Sequence, residues 1–174
     1  MTVLETARLR LRRAREDDLA SFHAILSDPR ATRYWSTPPH QDLVQTRAWL
    51  TAMVRAPADL SEDFVVEHLG GVIGKAGFFR LPEIGFILHP DAWGRGLGRE
   101  ACEAVVAPVF ATRDLDELTA EADPRNAASI ALLTRLGFRK TGEAQRTHQL
   151  GEEWADSVWF ALSRADWEAA HAGR

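Results

Sequence analysis

A glycine-rich segment, Leu88-His-Pro-Asp-Ala-Trp-Gly-Arg-Gly-Leu-Gly-Arg-Glu-Ala101, joins a predicted strand to a predicted helix. Its glycines let the backbone turn tightly and approach a ligand without an intervening Cβ. Where the helix begins, near Gly96, free backbone N–H groups and the positive end of the helix dipole favour an anion such as a pyrophosphate. Arg95 and Arg99 can add charge-assisted hydrogen bonds. The stretch therefore predicts a phosphate-binding loop, and the plainer alternative is a flexible connector.

Two well-known phosphate-binding loops do not match this stretch. A P-loop needs Lys followed by Ser or Thr after its last glycine, whereas Arg99 and Glu100 follow Gly98. In the dinucleotide-binding fingerprint, Gly94 and Gly96 match the first two glycines, but Arg99 stands at the third position. Since the lysine is missing, nucleotide phosphoryl transfer is the weakest of the functions considered.

Hydrophobic alternation on both sides of the loop predicts a sheet. Before the loop, the turns Gly70-Gly71 and Leu81-Pro82 separate three strands of an antiparallel meander. The strand–helix–strand unit across 83–122 is expected to let its two strands pair in parallel. Strands are predicted at 8–12, 64–67, 72–79, 83–88, 118–122, 139–149 and 156–162.

Helical spacing and capping residues predict the helices. Along 96–110, Cys102, Val105 and Val109 fall on one apolar stripe, and Gly137 is expected to end the helix over 126–136. Further helices are predicted at 17–26, at 42–53 and after Ser163. The fold class is therefore α+β, with a mixed, mostly antiparallel twisted sheet flanked by helices.

The composition is that of a soluble globular protein. Of 174 residues, 45% are hydrophobic and 26% are charged, and the formal net charge is −4. This length suits a single domain over 1–174, and the negative charge excludes a nucleic-acid binder that works by overall charge. The longest apolar run, 104–111, is too short to span a membrane, and the N-terminus lacks a signal-peptide pattern. We therefore expect a cytoplasmic protein that binds neither nucleic acid nor a membrane.

The only cysteine, Cys102, excludes an intrachain disulfide. Because it lies on the apolar helical stripe, it is predicted to be a core residue rather than a nucleophile. The six histidines are scattered without a His-x-x-x-His pair, so no metal site is expected.

Five arginines lie between positions 8 and 15. They could form a phosphate patch, but the acidic run Glu16-Asp17-Asp18 follows at once. A solvated strand face is therefore the favoured interpretation, and the acidic run suits the first turn of a helix.

Four segments carry a family resemblance when they are taken together. They are Thr6-Ala-Arg-Leu-Arg-Leu-Arg12, the stretch 88–101, Asp123-Pro-Arg-Asn-Ala-Ala-Ser129 and Leu136-Gly-Phe138. In this order and spacing they resemble the GNAT N-acetyltransferase superfamily, in its RimJ/RimL-like branch. Trp93 stands where the superfamily pattern has Arg or Gln, a departure typical of that branch.

The resemblance implies an enzyme that transfers an acetyl group from acetyl-CoA to a primary amine by direct attack, without a metal. The amine would be a protein N-terminus or a small molecule, and a homodimer is left open. The implied cofactor contacts are Phe86, Ile87, Leu88, Trp93, Gly94, Arg95, Gly96, Leu97, Gly98, Arg99, Asn126 and Ser129. From the residues alone, Asn126 could equally be an ordinary helix N-cap.

The resemblance also implies catalytic and acceptor residues. Glu83 is the candidate general base, against a plain strand-end carboxylate, and Ser129 could donate a proton to the departing thiolate. Candidate acceptor contacts are Tyr34, Trp35, His148 and Asp156. Core packing is the plainer alternative for the two aromatic residues, and a surface pair or turn cap is the plainer one for the other two.

A non-catalytic module of the same fold, which binds CoA or a protein partner, is the main alternative function. It is motivated by the absence of an unambiguous general base in the sequence. Binding of acetyl-CoA without turnover of any amine would favour it.

Overall fold

An eight-stranded sheet organises residues 3–172, the part of the chain that the computed structural model describes. Its strands are β1 (Leu4–Glu5), β2 (Leu9–Arg12), β3 (Glu62–His68), β4 (Gly71–Arg80), β5 (Glu83–Leu88), β6 (Glu117–Ala122), β7 (Arg139–Leu150) and β8 (Glu153–Ser163). They lie in the order β1-β2-β3-β4-β5-β6-β8-β7. Within the described residues, all neighbouring strands pair in antiparallel fashion except β5 and β6, which are parallel. The predicted mixed, mostly antiparallel sheet is confirmed.

Helices cover both faces of this sheet. They are α1 (Leu19–Leu26), α2 (Pro29–Thr32), α3 (Leu43–Val54), α4 (Leu97–Thr112), α5 (Ala127–Arg135) and α6 (Arg164–His171). Side chains of Asp42 and Ser163 accept backbone N–H groups at the starts of α3 and α6, which satisfies donors that a helix leaves free. No helix among residues 3–172 is long and apolar enough to cross a membrane.

Several boundaries differ from the predictions, and two of the differences have a clear physical reason. The acidic run Glu16–Asp18 forms a separate 3₁₀ turn before α1 rather than the first turn of that helix. The segment Asp28-Pro29 was expected only to end a helix, but it also starts α2, where Asp28 caps the Arg30 N–H and Pro29 fits the first helical position.

The predicted solvated arginine face is wrong for Arg12. Its guanidinium is buried and donates to Asp18 at 2.7 and 2.9 Å and to Glu67 at 2.6 Å. The acidic turn folds back over the end of β2, so two carboxylates reach this guanidinium and compensate its burial. Arg8 is also paired, with Glu100 of α4 at 2.6 Å. These arginines tie β2 to its neighbours.

The two faces of the sheet support separate cores. On one face, α4, α5 and α6 cover side chains such as Ile84 and Leu88, and the fully buried Cys102 belongs to this core, as predicted. On the other face, α1 and α3 pack against Val65 and Ile87. Because side chains alternate along a strand, neighbouring residues of β5 point to opposite faces.

Candidate functional site

The sheet opens between its two parallel strands. Glu83 and Ile84 of β5 pair with Thr119 and Ala120 of β6, and no pairing follows although both strands continue. We call the space between Gly85–Leu88 and the last residues of β6 the fork. Since the two strands are parallel, both end at the same, open end of the fork. The loops that follow both strands start there.

The backbone of β5 presents unpaired polar groups to the fork. His89 N–H donates to Ile73 of β4 at 2.7 Å, while Thr119 N–H donates to Pro82 at 3.0 Å. Peptide groups alternate in direction along a strand, so those of Phe86 and Leu88 face the fork and that of Ile87 faces β4. An extended ligand could pair with Phe86 and Leu88. Ile87, predicted as a cofactor contact, instead turns its backbone to β4 and its side chain to the α1–α3 core.

The Trp93 side chain occupies one of these backbone groups, the Leu88 carbonyl. Its indole N–H donates to the Leu88 carbonyl at 3.0 Å, while the ring remains half exposed. The strand edge therefore keeps the Leu88 N–H available but not its carbonyl. This gives a physical role to the tryptophan at the position where the superfamily pattern has Arg or Gln.

The glycine loop presents a row of backbone N–H groups at the open end of the fork. Gly94 and Gly96 have φ of 70° and 76°, in the left-handed region that favours glycine. The Glu100 N–H donates to Gly96 at 3.1 Å, whereas the N–H groups of 94–99 donate to no acceptor within residues 3–172. Leu97 has a fully buried side chain, so only its backbone can meet a ligand. Free N–H groups at the start of a long helix form an anion site.

Of the two loop arginines predicted to meet a phosphate, Arg95 has the freer charge. Its guanidinium contacts His68 Nε2 at 3.2 Å and, within the described part of the chain, pairs with no carboxylate. Arg99 forms an exposed pair with Glu103 at 2.9 Å, which is weak enough to exchange for another anion. Sequence reasoning missed Arg8, whose guanidinium donates to the Arg95 carbonyl at 2.9 Å. Arg8 belongs to the group of arginines between positions 8 and 15, and this group was the sequence pattern that could have identified it.

A second helix begins beside the glycine loop. Asn126 accepts the Ser129 N–H at 3.1 Å, so it serves as the N-cap of α5, the plainer of its two predicted roles. A Cβ on Gly98 would lie 3.2 Å from Leu132 of α5 and 3.5 Å from Leu88. The start of α4 therefore packs against the middle of α5, and Ser129 lies in the first turn of α5.

Glu83 faces an open part of the sheet on the side of α1 and α3. Strand alternation and register place Thr119 and Glu121 of β6, with Ser157 of β8, on the same face. Partial burial and the nearby charge of Glu121 raise the pKa of the Glu83 carboxyl above its ordinary value. A carboxylate with a raised pKa is a better proton acceptor, so this geometry suits a base.

Glu121 was not among the predicted residues. Ser157 donates a hydrogen bond to its carboxylate, and the Ser157 hydroxyl also lies 2.5 Å from that of Thr147. The signal in the sequence was weak: alternation puts Thr119 and Glu121 on one face of β6, but nothing indicated that this face meets Glu83.

The predicted acceptor aromatics lie in the loop after α2. The Tyr34 ring lies 5.7 Å from the guanidinium carbon of Arg125, in the turn between β6 and α5, which brings this loop to the open end of the fork. Trp35 packs on the α1–α3 core, and its ring centroid lies 5.8 Å from Lys75 Nζ. Trp35 thus has the core contacts of its plainer alternative, beside the face that carries Glu83.

The other two predicted acceptor residues lie on the β7–β8 hairpin. Register and alternation place His148 on the face of Ser157 and Asp156 on the opposite one. The Asp156 carboxylate accepts the Arg146 N–H at 2.8 Å, where Arg146 has φ of 54°. Asp156 thus stabilises an irregular turn of β7, which is the turn-capping alternative.

Known proteins resemble this chain in sequence and in fold. The model of a family described as "Acetyltransferase (GNAT) domain" matches residues 8–139. The chain belongs to the GNAT acetyltransferase family. The resemblance drawn from four sequence segments is thereby confirmed, and so is the expectation of an N-acetyltransferase.

Relatives of this GNAT enzyme span most of its length. It is 29% identical over 180 residues to an uncharacterized N-acetyltransferase, p20, of Bacillus licheniformis, covering 96% of this chain and 99% of the relative. It is 30% identical over 155 residues to an L-methionine sulfoximine/L-methionine sulfone acetyltransferase of Pseudomonas paraeruginosa, covering 84% and 89%. A solved structure of the ribosomal L7/L12 α-N-protein acetyltransferase RimL with coenzyme A has the same fold, with a TM-score of 0.83, 17% identity and coverage of 93% and 98%.

Proposed function

We propose that this GNAT enzyme transfers the acetyl group of acetyl-CoA to a primary amine by direct attack of the amine. The observation that carries the proposal is the fork, with unpaired β5 peptide groups inside it and the free N–H groups of 94–99 at its open end. An extended amide-containing arm joined to a pyrophosphate is the chemical shape that this arrangement complements. The RimL structure with coenzyme A shares this fold.

The donor would be held by backbone groups. The N–H groups of 94–99, with Arg95, would bind the pyrophosphate, and the Leu88 N–H and the Phe86 carbonyl would pair with the pantetheine arm. Acetyl-CoA supplies an activated thioester. The Phe86 N–H lies deeper in the fork and nearer to Glu83, where it could stabilise negative charge on the thioester oxygen.

The proton transfers would use side chains around the fork. Glu83, whose pKa is raised by burial and by Glu121, would accept a proton from the bound ammonium group, which leaves the neutral amine free to attack. Ser129, in the first turn of α5, would donate to the departing thiolate. Cys102 is fully buried in α4 and burial raises the pKa of its thiol, so no cysteine is available for an acyl-enzyme. This supports direct transfer.

Related proteins indicate two acceptor classes. One relative is an L-methionine sulfoximine/L-methionine sulfone acetyltransferase, and RimL is an α-N-protein acetyltransferase. A small amine and a protein N-terminus are therefore both acceptor candidates for this chain.

The test is a panel of acceptors mixed with acetyl-CoA. It contains free amino acids, their C-terminal amides, short peptides with free N-termini and alkyl amines, and the readout is release of free CoA thiol. We expect release well above the amine-free rate for at least one class, with an acetylated amine detected by mass spectrometry. Tight binding of acetyl-CoA without turnover of any amine would instead favour the non-catalytic module.

A further inference from the structure

Two carboxylates without cationic partners meet beside the fork. Glu83 and Glu121 lie diagonally across the parallel β5–β6 pair on one face, since Glu83 is in register with Thr119. Within residues 3–172, neither carboxylate forms an ion pair with a Lys, Arg or His side chain. Arg80 is opposite Glu83 in the β4 register but forms no such pair with it.

Two cations on this side of the sheet, Lys75 and Arg125, are already engaged by other carboxylates. Lys75 is buried and donates to Asp63 at 2.8 Å. Arg125, at the open end of the fork, is held by Asp123 at 2.7 Å and by Glu153 at 2.6 Å. Apart from Arg80, which is exposed and forms no ion pair with Glu83 within residues 3–172, the charge left beside the fork is therefore negative.

A hydrogen bond from Ser157 of β8 orients the Glu121 carboxylate. Ser157, only 1% exposed, donates to the Glu121 carboxylate and contacts the Thr147 hydroxyl at 2.5 Å. Thr147 lies in an irregular part of β7, where the register with β8 shifts between Ala144 and His148. The carboxylate is thus oriented by the buried Ser157 hydroxyl, which itself contacts the exposed Thr147 of the same hairpin.

A further unpartnered oxygen lies on the same face of the sheet as Glu83. Asp63 is 3% exposed, and its Oδ1 finds no hydrogen-bond partner within the described residues. It lies 3.1 Å from the position of a Cβ on Gly77, which pairs directly with Gly85. The Cβ position of Gly85, on the same face as Glu83, has only Lys75 Nζ within 4 Å, at 3.9 Å, so this face keeps space beside Glu83 for an acceptor.

We propose that Glu121 is a specificity-determining residue of the amine site: with Glu83 it binds the acceptor ammonium group and selects amines that carry no carboxylate on the adjacent carbon. The inference rests on the proposed acetyl transfer. An α-carboxylate would be brought close to two uncompensated negative charges, which disfavours it. A peptide N-terminus or an alkyl amine has the ammonium group without that second charge. The accepted class is therefore peptide-like or simple amines rather than free amino acids.

The experiment compares matched acceptors that differ only in the carboxylate. We measure kcat/KM of the wild-type enzyme and of Glu121→Gln for alanine and alaninamide, and for methionine and methioninamide. The wild type should prefer the amide, and Glu121→Gln should reduce this preference by about tenfold, as expected when one of two neighbouring negative charges is removed. Glu117→Gln, the same change on the same strand outside the fork, should keep the wild-type preference.

The pH dependence of kcat/KM distinguishes this role of Glu121 from a purely structural one. The acidic limb of kcat/KM for the amide should move to lower pH in Glu121→Gln, because Glu83 loses the neighbouring negative charge that raises its pKa. The other charged groups facing Glu83, which are Arg80 and the Asp63–Lys75 pair, are unchanged in both variants. Glu117→Gln should keep the wild-type limb.

The outcomes separate the two proposals. If the wild type acetylates amines but prefers free amino acids, or if Glu121→Gln keeps both the preference and the limb, the role of Glu121 is overturned and acetyl transfer stands. If the wild type acetylates no amine, both are overturned. Acetyl-CoA affinity is measured for every variant, and an unchanged affinity shows that Glu121→Gln is folded.

Discussion

Replacing Gly96 with valine should weaken acetyl-CoA binding by about 10- to 100-fold, a loss of roughly 1.4–2.8 kcal/mol. Gly96 has φ of 76° and is the N-cap residue of α4, so its backbone aims the N–H groups at the helix start. A β-branched residue is strained at that φ and would turn the peptide away. Space is not the cause, since a Cβ there would meet only the flexible end of Arg8, at 3.6 Å. Isothermal titration calorimetry measures the affinity.

The matched control is Gly151→Val in the β7–β8 hairpin turn. Gly151 has φ of 62° and open space around its Cβ position, so the same substitution brings similar strain far from the loop. Its acetyl-CoA affinity should equal that of the wild type. If Gly96→Val also binds like the wild type, the loop is not the pyrophosphate site.

Replacing Lys75 with methionine should lower the free energy of unfolding by about 3–5 kcal/mol, the usual cost of breaking a buried ion pair on one side. Lys75 and Asp63 are both nearly fully buried, 2.8 Å apart, between β3 and β4. Burial raises the pKa of the Asp63 carboxyl even with Lys75 beside it. Without Lys75, the carboxyl would be left with neither oxygen partnered, since Oδ1 already has no donor in residues 3–172. Urea denaturation gives the change.

Two further variants make this result specific. The double change Lys75→Met with Asp63→Leu removes both charges and should recover most of the lost stability, because apolar replacement of a whole buried pair is often neutral or better. Arg99→Met removes the exposed pair with Glu103 and should cost less than about 1 kcal/mol. A Lys75→Met cost as small as that of Arg99→Met would mean that the buried pair contributes little to folding.

Local patterns were sufficient to predict the framework of the sheet and the position of the glycine loop between β5 and α4. The run Trp93–Arg99 combines glycines, a helix start and arginines within seven residues, so its chemistry is visible without a partner. The meander over 64–88 follows from alternation and short turns. The apolar stripe of 96–110 likewise placed Cys102 in the core.

Contacts between residues that are far apart in the sequence could not be predicted in this way. Arg12 is buried because Asp18 and Glu67 reach it, and Glu67 lies 55 positions away. Glu121 acquires a neighbour, Glu83, only because β5 and β6 are parallel. The direction of each β5 peptide depends on which strand it pairs with, and this turned Ile87 from a predicted cofactor contact into a core residue.

The most direct test of acetyl-CoA binding in the fork is a titration of the ¹⁵N-labelled enzyme with acetyl-CoA, monitored through the backbone ¹H–¹⁵N resonances. If the fork holds the donor, the amides of 94–99 and those of Phe86 and Leu88 shift together with one affinity. Binding in the fork is contradicted if these amide resonances stay unchanged and the shifted resonances belong instead to residues around the surface cavity of about 510 Å³ lined by Ile130, Phe138 and Phe160.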